Sequence, residues 1–204
     1  MLHKDYDYDE IADKIFFPIY GVIADSIIEK TQITDGQLID IGCGGGHLGL
    51  TLMQKTNLKG TLVDIKDAAI EIALQRAKEW GLADRVDATV QDVHNMEFDD
   101  GFADLIISRG SMIFWEDQEK AFREIYRVLA PGGRTYIGTG LGNTAVREQI
   151  RAKMKKKDPN WPKNIHKNSK ALSTDQYKKM FSDWGLDFEI IDNKDQGRWI
   201  ILKK

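Results

Sequence analysis

Cysteine is nearly missing from this 204-residue chain; Cys43 is the only one. A lone cysteine excludes an intramolecular disulfide and a cysteine-built zinc site. Proline is scarce, with four residues, and no proline- or serine-rich stretch marks a linker. No apolar run reaches the roughly 18–20 residues of a membrane span. Charge of one sign is lacking too. Lys and Arg number 29 against 32 Asp and Glu, a net charge of -3, so no global field draws the chain to nucleic acid or an anionic membrane. The opening "HKDYDYDE" is acidic where a secretory leader is basic. These absences predict a soluble cytoplasmic protein. With 42% apolar residues, the chain can build one domain around one core.

What is present is alternation. Apolar runs interleave with amphipathic segments, the pattern of a mostly parallel α/β sheet. An amphipathic helix is expected over residues 9–30, bent at Pro18. "QLIDI" (37–41), "GTLVDI" (60–65), "RVDATV" (85–90) and "ADLIIS" (103–108) read as the first four strands. Helices are expected at about 46–56, from a capping Asp67 to Gly81, and at about 117–129. "PGG" (131–133) opens a fifth strand, "RTYIG". A basic helix and loop follow at 143–170, then a helix from Thr174 to about 183. "DFEIID" and "RWIILKK" around "NKDQG" read as a closing antiparallel hairpin.

The segment richest in chemistry is "LIDIGCGGGHLGL" (38–50), a glycine loop after the first strand. Glycine removes side chains where backbone must approach a ligand. Gly44, Gly46 and Gly49 match the dinucleotide fingerprint G-x-G-x-x-G, but Gly49 falls inside the following helix. The spacing Asp40-x-Gly42-x-Gly44-x-Gly46 fits another ligand better. A carboxylate two residues before the first glycine repels a pyrophosphate and attracts an ammonium group. S-adenosylmethionine (SAM) carries an ammonium and a sulfonium, and no phosphate. Asp64, at the end of the second strand, can accept both hydroxyls of a ribose. Asp92, ending the third, can accept from an adenine amine while the Val93 amide donates to the ring.

Asp40-Ile-Gly42-Cys43-Gly44-Gly-Gly46, "LVDI" with Asp64 and Ile65, "QDVHNMEF" with Asp92, "FADLIIS" and "RVLAPGG" stand in the order and spacing of class I SAM-dependent methyltransferases. The chain resembles the small-molecule type related to ubiquinone and menaquinone biosynthesis. The resemblance covers about residues 35–140. It implies a Rossmann-like fold with a seven-stranded sheet of order 3-2-1-4-5-7-6 and a terminal antiparallel hairpin. It also implies that Gly42, Gly44 and Gly46 line the methionine part of SAM, Asp64 the ribose, and Asp92 with Val93 the adenine. Asp40, Cys43, Ile65 and Ser108 are further candidates for cofactor binding. One domain over 1–204 is expected, with 1–34 as a cover helix and 143–172 as a lid.

Methyl transfer from a sulfonium is an in-line displacement that needs alignment and sometimes a base. No His/Asp/Glu cluster has metal-ligand spacing, so no metal is expected. The fourth strand ends in "SRGS", without the Asn/Asp-Pro-Pro-aromatic run of adenine- and glutamine-modifying relatives. Arg109 can grip a substrate carboxylate or phosphate, or pair with a structural carboxylate. His94 is a candidate general base. Tyr20 and Phe17 can close over the site, and Phe114 and Trp115 can wall it. Residues 151–170 hold eight Lys/Arg and one Asp, with Trp161 and His166 among them. That basic segment is a solvated face, a substrate lid with Trp161 near the substrate, or a nucleic-acid contact. A small-molecule methyltransferase is therefore the leading expectation. An RNA- or protein-modifying enzyme docking through 151–170, a non-catalytic SAM-binding protein and a nicotinamide dehydrogenase are the alternatives.

Overall fold

The computed structural model describes residues 8–161 and 169–204. One sheet of order β3-β2-β1-β4-β5-β7-β6 forms its centre, as the sequence leads one to expect. Strands β1 (Gln37–Ile41), β2 (Lys59–Asp64), β3 (Val86–Val90), β4 (Ala103–Arg109) and β5 (Leu129–Thr139) run parallel. The hairpin β6 (Asp187–Asn193) and β7 (Gly197–Lys203) adds antiparallel to β5. The helices are α1 (Tyr8–Ile11), α2 (Phe17–Thr31), α3 (His47–Gln54), α4 (Asp67–Glu79), α5 (Gln118–Val128), α6 (Thr144–Lys157) and α7 (Thr174–Asp183). No described helix is long and apolar enough to cross a membrane.

Strand alternation distributes the side chains between two cores. Leu38, Leu105 and Ile107 face a core built with α2, α3 and α6, whereas Ile39, Ile41 and Ile106 face one built with α5 and α7. The same alternation puts Asp40 and Arg109 on the face of the first core.

Three boundaries differ from expectation. A π-helical turn, Ala12–Phe16, interrupts the N-terminal helix between α1 and α2, and Pro18 falls in the first turn of α2 directly after it. Asp67 does not cap α4; Lys66 stands at the cap and makes no side-chain bond there. Strand β5 starts at Leu129, before "PGG". Ala103 pairs with Leu129 but Leu105 pairs with Arg134, so the extra residues bulge out. Gly81 does end α4, at φ +71°, with its own amide and that of Leu82 bonded to Lys78 and Ala77 carbonyls.

Candidate functional site

The glycine loop joins the carboxyl end of β1 to α3, beside the point where the strand order reverses between β1 and β4. Asp40, 2% exposed, lies beneath it and accepts a bond from the Gly49 amide of α3 at 2.9 Å. Burial raises its pKa to about 7, with the Gly49 amide opposing and the nearby Asp64 charge adding. Asp40 therefore influences the loop from below. Asp64 reaches across from β2: one carboxylate oxygen accepts from the Gly44 amide at 2.9 Å and the other from the Lys66 amide at 3.1 Å. Gly44 has φ +53°, and a β-carbon added there would meet nothing within 4 Å. Its outer face is open space.

Ile65 follows Asp64 and is 66% exposed, and Val90, the register partner of Asp64, is exposed as well. Together they put an apolar surface beside a carboxylate. Gly42 abuts the Ser111 side chain. The Ser111 hydroxyl lies 2.6 Å from that of fully buried Ser108 and donates to the Ile41 carbonyl at 3.2 Å. Cys43 is half-buried, and burial pushes its thiol pKa up.

Asp92 and His94 form a closed pair. Asp92 accepts from the His94 amide at 2.9 Å and lies 2.5 Å from His94 Nδ1. His94 Nε2 accepts from the Asp117 amide at 3.2 Å. With Nδ1–H donating and Nε2 accepting, both ring nitrogens are committed. The pair ties the loop after β3 to the start of α5. The Val93 side chain beside it is buried.

The N-terminal helix closes over the loop. Asp13, Phe16 and Tyr20 recur at spacings of three and four, one face of a helix. Asp13 lies 2.7 Å from His47 Nε2, and Tyr20 stacks on His47 with ring centres 5.1 Å apart. Arg76 of α4 binds both Asp9 and Asp13, at 3.1 and 3.2 Å, and also donates to the Gly45 carbonyl. A β-carbon at Gly45 would come within 2.1 Å of Arg76 and Asp9, so any larger residue there has to displace those side chains. Sequence reading missed Asp13, His47, Ser111 and Arg76. Arg76 carried a signal: it interrupts the otherwise apolar stripe of α4 at Ala73, Ala77 and Trp80.

Arg109, at the end of β4, lies beneath this cover. Its guanidinium sits 4.6 Å from the centre of the Phe16 ring, its Nε donates to the Gly140 carbonyl at 3.3 Å, and it bonds with the Tyr20 hydroxyl. Burial raises the Tyr20 pKa, with Arg109 opposing. Among the candidate wall residues, Phe114 is exposed, while Trp115 is buried against Phe122. Phe17 is exposed and meets Trp80 edge-on. Trp161 is buried in the core with Ile150 and Met154. In the basic segment, Lys157 pairs with Glu10 and Lys170 with Glu116; Lys163, His166 and Lys167 lie outside the described residues. No group of three metal-ligating side chains occurs among the described residues.

Residues 34–188 match the family model described as a methyltransferase domain. A crystal structure of a putative SAM-dependent methyltransferase from Methanococcus maripaludis superposes with a TM-score of 0.90 at 42% identity, covering 97% of this chain and 90% of that one. Methyltransferase GfsG of Streptomyces halstedii is 31% identical over 116 residues, 56% of this chain and 42% of that protein. The ubiquinone/menaquinone C-methyltransferase UbiE of Idiomarina loihiensis is 29% identical over 133 residues, 64% of this chain and 53% of that protein. The chain thus spans about half the length of these curated relatives. With the family model spanning most of the chain and the sheet order matching, this protein belongs to the class I SAM-dependent methyltransferases.

Proposed function

We propose that this protein transfers a methyl group from SAM to a small-molecule acceptor. The observation that carries the reading is the open glycine crown: Gly44 faces empty space while its amide is held by Asp64, and buried Asp40 lies beneath. An ammonium group fits an acidic floor. A ribose fits the remaining lone pairs of Asp64, and a purine fits the exposed faces of Ile65 and Val90. Asp92 with Val93 would meet the purine edge, and Gly42, Cys43, Gly46 and Ser108 would border the methionine chain.

When bound, SAM supplies a methyl carried on a sulfonium whose leaving group is neutral. The chain contributes alignment and a dry site. Phe16 and Tyr20 cover the space beyond the loop, and Arg76 with Asp9 and Asp13 holds that cover down. Tyr20 stays protonated at neutral pH, and His94 has no spare nitrogen. Neither removes a proton, so an acceptor atom that is already nucleophilic suits this site. Helix α6, packed against the π turn, would extend this cover. The name of the UbiE relative, a ubiquinone/menaquinone biosynthesis C-methyltransferase, supports a small-molecule acceptor. So does the use of Lys157 and Lys170 in internal ion pairs.

Calorimetric titration with S-adenosylhomocysteine tests the cofactor site. Binding is expected, with a loss of about tenfold or more in Asp64→Ala, which removes charge-assisted bonds to both hydroxyls. Equal affinity in wild type and Asp64→Ala would reject the assignment.

A further inference from the structure

Arg109 is a largely buried cation with no counterion among the described residues. Its described partners are a carbonyl, a hydroxyl and a ring face: Gly140 at 3.3 Å, Tyr20, and Phe16 at 4.6 Å. No carboxylate among the described residues pairs with it. Acids are nonetheless at hand. Asp9 and Asp13 rise from the same cover, yet both turn to Arg76, and Asp13 also to His47. A buried charge without a partner is costly, and chains usually pair it or lose it. Here the neutralising acids have gone to a different arginine.

The position of Arg109 gives that omission a use. Asp40 of β1 pairs with Ile107 of β4. Two residues further along come Gly42, just past the end of β1, and Arg109, the last residue of β4. The Ser108–Ser111–Ile41 hydrogen-bond chain fixes the end of β4 against the loop. With Nε committed to Gly140 and one face covered by Phe16, the guanidinium keeps its terminal Nη edge for Tyr20 and a ligand. That edge suits two oxygens of one planar or tetrahedral oxyanion.

We propose that Arg109, assisted by the Tyr20 hydroxyl, receives an oxyanion of the methyl acceptor, so that the acceptor is an anionic small molecule bearing a carboxylate or a phosphate. The assignment of this anion to the acceptor rests on the reading of the glycine loop as the SAM site. Arg109 acts here as a substrate-binding residue that sets specificity.

The test titrates inorganic phosphate and, separately, acetate into the protein with and without S-adenosylhomocysteine, followed by calorimetry and thermal melting. Either anion should bind wild type and raise its melting temperature; which binds tighter tells phosphate from carboxylate acceptors. Arg109→Met should weaken that binding by about tenfold or more, and Arg109→Lys, which keeps charge but loses the fork, by an intermediate amount. Without anion, Arg109→Met should melt no lower than wild type, because it removes an unpaired charge. Tyr20→Phe should weaken anion binding by about threefold, the loss of one hydrogen bond. Asp64→Ala should lose S-adenosylhomocysteine and keep the anion. Anion binding without S-adenosylhomocysteine binding in wild type would overturn the cofactor reading alone. Failure of both anions to bind wild type, or full binding by Arg109→Met and Arg109→Lys, overturns the proposal. So does a lower melting point of Arg109→Met with unchanged anion affinity, the mark of a structural arginine.

Discussion

His47 and Asp13, 34 residues apart in sequence, meet with Nε2 and Oδ1 at 2.7 Å. His47 is the first residue of α3, directly after the glycine loop, and Asp13 belongs to the π turn of the cover. The contact couples the closed cover to the loop. Burial lowers the His47 pKa despite Asp13, so the folded chain holds a neutral imidazole. An unfolded histidine takes up a proton near its ordinary value of 6.5. The contribution of His47 is therefore present above that pH and is lost as pH falls below it. Once the intrinsic pH dependence of exchange is divided out, amide protection over residues 9–20 should fall below pH 6.5 in wild type. In His47→Phe that acid step should be missing; an unchanged step would dissociate the cover from His47.

Asp40 acts in the opposite direction. Its folded pKa is about 7 against an ordinary 3.8, chiefly through burial. Between these values the folded chain keeps a proton that the unfolded chain has released. Stability from Asp40 thus declines as pH rises from about 4 to about 7, by up to about 4 kcal/mol for a shift of that size. Asp40→Asn retains the acceptor for Gly49 without the charge. It should melt above wild type at about pH 8 and converge with it near pH 4, where both forms are neutral. Parallel melting curves at the two pH values would show that Asp40 is not the group titrating.

Arg76 holds the cover, and its loss leaves Asp9 and Asp13 without their cation and the Gly45 carbonyl without its donor. Because both carboxylates keep partial solvent access, Arg76→Met should cost about 1–3 kcal/mol, below the full penalty of a wholly buried pair. Proteolysis should then cut near residues 8–20 first. Equal stability and an unchanged cleavage pattern would contradict the latch.

Neighbouring glycines separate ligand space from packing space. Gly44→Ala adds a methyl where only a ligand would stand, with backbone strain of about 1 kcal/mol at its positive φ. It should weaken S-adenosylhomocysteine more than it lowers the melting temperature. Gly45→Ala drives a methyl into Arg76 and Asp9 and should chiefly loosen the cover. Identical phenotypes would remove the distinction.

His94→Ala breaks the bonds to Asp92 and Asp117 and should cost about 1–2 kcal/mol of stability. Once the enzyme is kept folded, turnover should persist. A loss of about 100-fold in kcat with stability intact would instead restore His94 as a base.

Much of the sheet was legible because short-range rules govern it. β1 to β4 follow from apolar runs, α4 from its stripe and Gly81, and the hairpin from two runs around "NKDQG". The start of β5 was not legible, because its pairing with Ala103 depends on a neighbouring strand rather than on "PGG" itself. The π turn was hidden for the same reason. Its geometry serves the contacts of Asp13 and Phe16 with α3, α4 and β4.

By itself, the sequence determined the α/β order, the sheet topology by resemblance, and a glycine loop with acids at Asp40, Asp64 and Asp92. Periodicity, turn chemistry and spacing are properties of neighbours along the chain. Only the tertiary structure decided what each polar group faces. It bound both nitrogens of His94, set Asp40 under the loop against Gly49, gave Asp9 and Asp13 to Arg76, and left Arg109 with Tyr20, Phe16 and Gly140. Charge pairing depends on distances across strands and helices far apart in sequence, and those distances exist only once the sheet has assembled.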